Sequence, residues 1–195
     1  MKLQNYAENQ WIEGSDDGRE LRSAVDGRTV ASITSDGVDF GGMLDYARRV
    51  GGANLRQYTF HDRAFMLKDL AKFLMEQKKD FYTLSTETGA TKSDSWIDID
   101  GGISTLFVYS SKGRREMPND TVYLDGPTEV LSREGTFVGQ HLFTPRHGAA
   151  VHINAYNFPC WGLLEKLAPC LLAGVPAIVK PASSPAYLTA LMVRR

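Results

Sequence analysis

The chain has 195 residues, 43% of them hydrophobic and 23% charged, with a formal net charge of -1. That balance suits an ordinary globular protein and supplies no basic field for nucleic acid. No run approaches the roughly 20 apolar residues that span a bilayer, the start Met1-Lys2-Leu3-Gln4-Asn5-Tyr6 lacks a signal-peptide core, and Cys160 and Cys170 make no disulfide framework, so the expected setting is cytoplasmic and reduced.

In chain order, Leu21 to Thr34 carries β patterning around an Asp26-Gly27 turn, as in a hairpin. Asp39 to Val50 reads as a helix with a polar face. Thr59 stands three residues before Asp62, a capping box with Asp in place of Glu at the entry to a long helix. Within it Met66, Leu70, Phe73 and Leu74 predict one apolar face. A second helical region, about Phe81 to Thr88, ends near Gly89. A third runs from Lys92 to Ser111, with Gly101-Gly102 as a candidate interruption and Asp94 and Asp98 expected on a solvated face.

From Thr121 the texture becomes β. Thr121 to Leu124, Thr128 to Leu131 and Phe137 to Thr144 read as short strands separated by Gly126-Pro127 and Glu134-Gly135, with His141 and His147 on or near a hairpin surface. Next comes an apolar strand, Gly148 to Asn154, a helix, Cys160 to Ala173, and a second buried strand, Ala177 to Lys180. In the helix Leu163, Leu167 and Leu171 repeat every four residues, as do Leu164, Ala168 and Leu172; Pro169 is expected to kink it and Gly174 to end it. Strand, helix and strand with short loops imply a parallel crossover. One such unit leaves a parallel sheet unfinished, so part of a larger α/β protein is expected, with a further helix starting near Pro185.

Cys160 at a helix start reads either as a thiol activated by the helix dipole or as a core residue, and the core reading prevails because no base with its own orienting partner accompanies it. Cys170 reads as core. The histidines His61, His141, His147 and His152 form no i, i+4 pair, and no metal site is expected. Asp98-Ile99-Asp100-Gly101 opens like a calcium loop, but its twelfth position is Tyr109 where a bidentate Glu is needed. The doublets Gly41-Gly42, Gly51-Gly52 and Gly101-Gly102 lie outside any strand–helix phosphate loop. The informative stretch is Ile153 to Pro159, which leaves a buried strand at the carboxyl edge of a parallel sheet, where ligands bind in such folds. There Asn157 reads as an amide donor or as a turn residue. Lys180, ending the next strand at the same edge, reads as a phosphate- or ribose-binding cation or as a solvated lysine.

Together Ala155-Tyr156-Asn157-Phe158-Pro159, Lys166-Leu167-Ala168-Pro169-Cys170-Leu171 with Gly174, and Val179-Lys180-Pro181-Ala182-Ser183 resemble the aldehyde dehydrogenase superfamily, in order and in spacing. Gln10 to Gly14, Asp26-Gly27, Arg63 and Glu87-Thr88-Gly89 are similar to that family's N-terminal half. Asp94 to Gly102 and His152 to Gly162 resemble the branch that oxidises CoA-linked semialdehydes in aromatic-compound degradation, phenylacetate above all. The resemblance implies an α/β fold with an incomplete Rossmann-type parallel sheet, N-terminal helices and a projecting β-hairpin. It divides the chain into 1–120 as the N-terminal helical part of the cofactor-binding domain, 121–146 as an oligomerisation hairpin, and 147–195 as the first βαβ unit.

For the site, the resemblance implies Asn157 as the oxyanion-hole amide, Lys180 on the adenosine ribose, and Ile153, Asn154 and Tyr156 along the cofactor crevice. Ser183 stands where NAD-preferring relatives often carry Glu, which implies NADP, with NAD possible; it also reads as the cap of the next helix. The family's nucleophilic Cys, general-base Glu and glycine loop match nothing here, so an N-terminal portion, inactive alone, is expected. The implied partners are a small aldehyde and further copies of the chain through 121–146. A non-catalytic interaction module keeping the same fold is the competing reading.

Overall fold

The computed structural model describes residues 1–195. Strands β1 (Asn5–Ala7) and β2 (Gln10–Ile12) form a hairpin that the sequence reading did not contain. Its two turn residues, Glu8 and Asn9, both adopt positive φ (51° and 62°), the pairing that matches the twist of a two-residue hairpin. Tyr6 and Trp11 face each other across it with ring centroids 4.9 Å apart. Strands β3 (Arg19–Arg22) and β4 (Thr29–Ile33) pair antiparallel around the Asp26-Gly27 turn, as expected.

Helix α1 (Phe40–Tyr46), capped by the Asp39 side chain, passes through a π turn at Ala47–Gly51 into α2 (Gly52–Leu55). Helix α3 (Phe60–Ser85) opens on the expected capping box, with Thr59 and Asp62 each bonding the other's backbone N–H. It runs unbroken for 26 residues, so the two predicted helical regions are one. Its core face keeps Leu74 and Leu70 of the expected one but is otherwise turned. Ala64, Leu67, Ala71 and Leu74 are buried, whereas Met66 and Phe73 stand 40% and 42% exposed. Both sets obey helical spacing. Alanines win the core because a closer neighbour helix fits against them.

A 3₁₀ turn at Thr86–Thr88 ends at Gly89, and α4 (Lys92–Trp96) starts on a second capping box, Thr91 with Asp94. A π turn, Ile97–Gly101, leads into α5 (Gly102–Glu116) without a break. The glycine doublet therefore inserts a bulge into the helical path and does not end it. A Cβ on Gly113 of α5 would sit 2.9 Å from that of Ala64 and 2.6 Å from a Leu172 methyl, so this glycine sets the helix spacing.

Strands β5 (Tyr123–Val130) and β6 (Val138–Phe143) make one antiparallel hairpin. The two short strands predicted before Phe137 fuse, because Gly126-Pro127 is absorbed as a register irregularity between Asp125 and Glu129. His141 lies exposed on this hairpin and His147 is exposed just beyond it.

Strands β7 (Ala150–Ile153) and β8 (Ala177–Lys180) pair in parallel, joined by α6 (Pro159–Leu172), and α7 (Ala186–Arg194) follows. Helix α6 continues through Pro169 to Leu172, and Gly174, just past its end, takes φ +75°. Its face of Leu163, Leu164, Ala168 and Leu172 joins Leu67, Ile103 and Leu106 in one core between α3, α5 and α6. The accessible surface is 11431 Å², against about 9,200 Å² expected for a compact 21.6 kDa chain. Much of the excess lies on the hairpin, where Leu124, Val130, Leu142 and Phe143 are exposed, and on the open face of β7, where Val151 and Ile153 are.

Candidate functional site

The β7–α6 loop carries most of the residues that the sequence singled out. Strand alternation divides them. His152 and Asn154 face α6 and are 6% exposed, while Ile153 faces the open side at 71% and Tyr156, in the loop, is equally exposed. Asn154 thus lies on the opposite side from Ile153, and both polar atoms of its buried carboxamide lack a partner. Ile153 pairs in register with Lys180, and the Asn154 N–H donates to the Lys180 carbonyl at 3.1 Å, so the two strand ends stop level.

Asn157 is exposed and borders a cleft of about 310 Å³ with Ile97, Ala155, Phe158, Trp161 and Glu165. No hydrogen bond within the chain ties its carboxamide to the loop, which removes the turn-stabilising role for that side chain. Lys180 is exposed and its ammonium donates to the neighbouring Pro181 carbonyl at 3.1 Å. Helix α7 has Pro185 at its cap position and no side-chain cap bond; Ser183 contributes only its carbonyl, to Ala186 N–H. The expected Ser183 side-chain cap is therefore not formed.

The residue the sequence misread is Asp98. It was expected in solvent; it is 4% exposed, at the start of α6. Its carboxylate accepts from Cys160 N–H at 3.0 Å and from Trp161 N–H at 2.8 Å. The π turn aims it inward. Phe158, the cap residue of α6 itself, makes no side-chain cap bond, so a carboxylate from 60 residues upstream satisfies these helix-end donors. Burial pushes the Asp98 carboxyl up, against the opposing pull of the Trp161 and Cys160 N–H groups. The position where a helix N-terminus ordinarily meets a phosphate is thereby filled by the protein itself.

The same contact settles the cysteines. Cys160 is fully buried, and burial first and the Asp98 charge second push its thiol well above the usual range. A nucleophile needs the thiolate. Cys170 is half-buried, raised by burial, with its Sγ 3.2 Å from Nε2 of His152. Burial and Lys166 together push that imidazole down, so thiol and imidazole are both held neutral. No three His, Cys, Asp or Glu side chains converge as a metal cluster, and no helix is long and apolar enough to cross a membrane.

Trp161 completes the site. Its indole N–H donates to Glu165 at 3.0 Å, and Lys166 bridges Glu165 and the Gly162 carbonyl at 3.0 and 2.9 Å. Its ring lies against Gly101, whose Cβ would fall 2.4 Å from the ring. The only sequence signal for that contact was a glycine doublet inside a helical pattern, a sign of close approach.

Residues 11–195 match the aldehyde dehydrogenase family. The chain is 41% identical over 194 residues to a 3,4-dehydroadipyl-CoA semialdehyde dehydrogenase of Aromatoleum evansii, covering 99% of this chain and 38% of that protein. It is 24% identical to an NADP(+) succinate-semialdehyde dehydrogenase of Escherichia coli over 94% of its own length and 36% of the relative's. In fold it superposes on aldehyde dehydrogenase 21 of Physcomitrella patens with a TM-score of 0.80 at 16% identity, over 99% of this chain and 39% of that one. A 3,6-anhydro-L-galactose dehydrogenase gives 0.79 at 19% identity, over 98% and 39%. The chain spans under two-fifths of the length of each of these relatives. A family match over nearly the whole chain and 41% identity to one of its members agree with the parallel β7–β8 unit, and the chain belongs to the aldehyde dehydrogenase family.

Proposed function

We propose that this chain forms the oxyanion and cofactor-edge portion of an NADP-preferring aldehyde dehydrogenase whose substrate is a CoA-linked semialdehyde. The observation that carries the reading is the free, exposed Asn157 carboxamide at the carboxyl edge of β7, on a loop held at both ends. As a thiolate adds to the aldehyde carbon, the carbonyl oxygen takes up the electron pair, and an amide N–H donor set beside it stabilises that charge. The thiolate is neither Cys160 nor Cys170, so these 195 residues alone are expected to give no turnover.

The residues present fit a phosphorylated dinucleotide. Lys180 is an exposed cation in no ion pair, Ser183 beside it brings no carboxylate to repel a 2′-phosphate, and Ile153 and Tyr156 offer exposed apolar surface at the same edge. In the bound state NADP supplies the hydride acceptor. The division into 1–120, 121–146 and 147–195 follows the same reading, and the apolar side chains of β5–β6 fit an interface between copies of the chain. The CoA-linked substrate class is supported by the resemblance of Asp94 to Gly102 and by the substrate named for the Aromatoleum relative.

Kinetics of Asn157→Ala in the whole enzyme test the proposal. We expect kcat to fall on the order of 10²–10³, with KM for NADP within about twofold. A loss in kcat under about threefold would return Asn157 to the status of a loop residue.

A further inference from the structure

Asp98 is a buried carboxylate that caps α6, and no catalytic or binding role has been given to it. The loop that carries Asn157 has two anchors. One is the β7 end, where Asn154 bonds Lys180. The other is the first turn of α6, whose own cap residue supplies nothing. Three contacts hold that turn, and all come from the Ile97–Gly101 π turn and the residue after it. Asp98 takes the N–H groups of Cys160 and Trp161. Gly102 lets the backbone of Trp161 approach so closely that a Cβ would lie 2.9 Å from its Cα and 3.0 Å from its N. Gly101 receives the Trp161 ring.

We infer that Asp98, with Gly101-Gly102, is a positioning clamp that fixes the Asn157 amide by locking the first turn of α6, an inference that rests on reading Asn157 as the oxyanion donor. A helix end with unsatisfied N–H groups frays through its first turn, and here that turn begins two residues after Asn157. Charge-assisted bonds from a buried carboxylate are about twice as strong as neutral ones and geometrically strict. Both N–H groups converge on Oδ1, and Oδ2 takes only a longer shared bond from Cys160 N–H at 3.3 Å. Asn at 98 can keep the Oδ1 acceptor, but it removes the charge and turns its NH₂ toward the Cys160 N–H, so both bonds weaken. The clamp acts on orientation and not on binding. Misplacing a catalytic donor by about 1 Å costs up to ~10²-fold in rate.

The test is a double-mutant cycle in the whole enzyme, reading kcat and both KM values for wild type, Asp98→Asn, Asn157→Ala and the double variant. We expect Asp98→Asn to lower kcat about tenfold, with KM for NADP within about twofold. In the Asn157→Ala background the same change should cost less than about twofold, because the residue it positions is gone. Losses that multiply would make Asp98 a fold-stabilising cap only and overturn the inference. Should Asp98→Asn not fold, Gly101→Ala displaces the Trp161 ring while sparing the carboxylate, and its non-additivity with Asn157→Ala decides in the same way. An unchanged kcat in Asn157→Ala alone would overturn the oxyanion reading and the clamp with it, so the two failures are told apart by which variant is silent.

Discussion

Replacing Gly174 by Ala separates backbone strain from steric displacement at one residue. Gly174 follows α6 with φ +75°, a conformation that costs an L side chain about 1–2 kcal/mol. An added Cβ would also lie 2.4 Å from Nη1 of Arg63 and 3.0 Å from Pro145 Cγ. Arg63 has little room to yield. It is 1% exposed, its Nη1 donates to the Leu55 carbonyl at 3.2 Å, and its guanidinium stacks 4.6 Å from the Phe60 ring centre. Losing the charged hydrogen bond costs about 1.5–3 kcal/mol, and loosening the cation–π contact about another 0.5. We therefore expect Gly174→Ala to destabilise by about 3–5 kcal/mol. That is a fall in Tm of about 10 °C for a chain of this size. Gly27 supplies the reference, since it has the same φ of +75° and nothing within 4 Å of a built Cβ. Gly27→Ala should cost only the backbone part, about 1 kcal/mol. Calorimetry and urea denaturation of both variants measure the difference. Equal losses in the two would refute the claim that Arg63 is locked in place.

Two further outcomes can be checked. Ser183→Glu in the whole enzyme should move the ratio of kcat/KM for NADP over NAD toward NAD by at least about tenfold, or about 1.4 kcal/mol; an unchanged ratio would leave Ser183 with no part in cofactor choice. Tyr82 is pushed up to about 12, by burial first and then by its 2.6 Å hydrogen bond to Asp100, which Lys78 also pairs at 2.8 Å. A raised phenol stays protonated longer in the folded chain than in the unfolded one. Its contribution is complete below pH 10 and is lost as pH rises toward 12, so stability should fall less steeply over that window in Tyr82→Phe than in wild type. Parallel curves would remove Tyr82 as the source.

What the sequence made legible was local. Thr59 and Asp62, the Asp26-Gly27 turn, Gly174 and the strand–helix–strand from Ala150 to Lys180 all appear where their own neighbours in the chain dictate. What it hid was settled between distant segments. On α3, Met66 and Phe73 outscore Ala64 and Ala71 by hydrophobicity, but Gly113 on α5 can approach only the small residues, so those face the core. Gly126-Pro127 reads as a break, yet strand pairing on either side of it carries the chain through as a bulge. Asn157 stood out because it sits inside a motif, and the structure places it exposed beyond the end of β7. Asp98 did not, because its partners lie 62 and 63 residues away and only a π turn directs it toward them.

That last contact also explains why the βαβ unit here cannot be read one helix at a time. Helix N-termini attract anions, and the first helix of a parallel unit is the ordinary place for a dinucleotide's phosphates. In this chain the N–H groups of Cys160 and Trp161 already face a carboxylate, and a second anion there would meet Asp98 in a buried setting where like charges repel strongly. The N–H groups at this helix start are thus already satisfied by the protein, and the exposed Asn157 carboxamide just before them stays unpaired. The exposed cation Lys180 and the Ser183 hydroxyl lie one strand over, on the edge that β7 and β8 share, where the proposed reading puts the cofactor. A carboxylate from the N-terminal helices therefore does more than cap. Under the roles proposed for Asn157 and Lys180, it separates the carbonyl-facing loop from the nucleotide-facing strand end, and the Asn154 N–H bond to the Lys180 carbonyl joins the two across the strand pair.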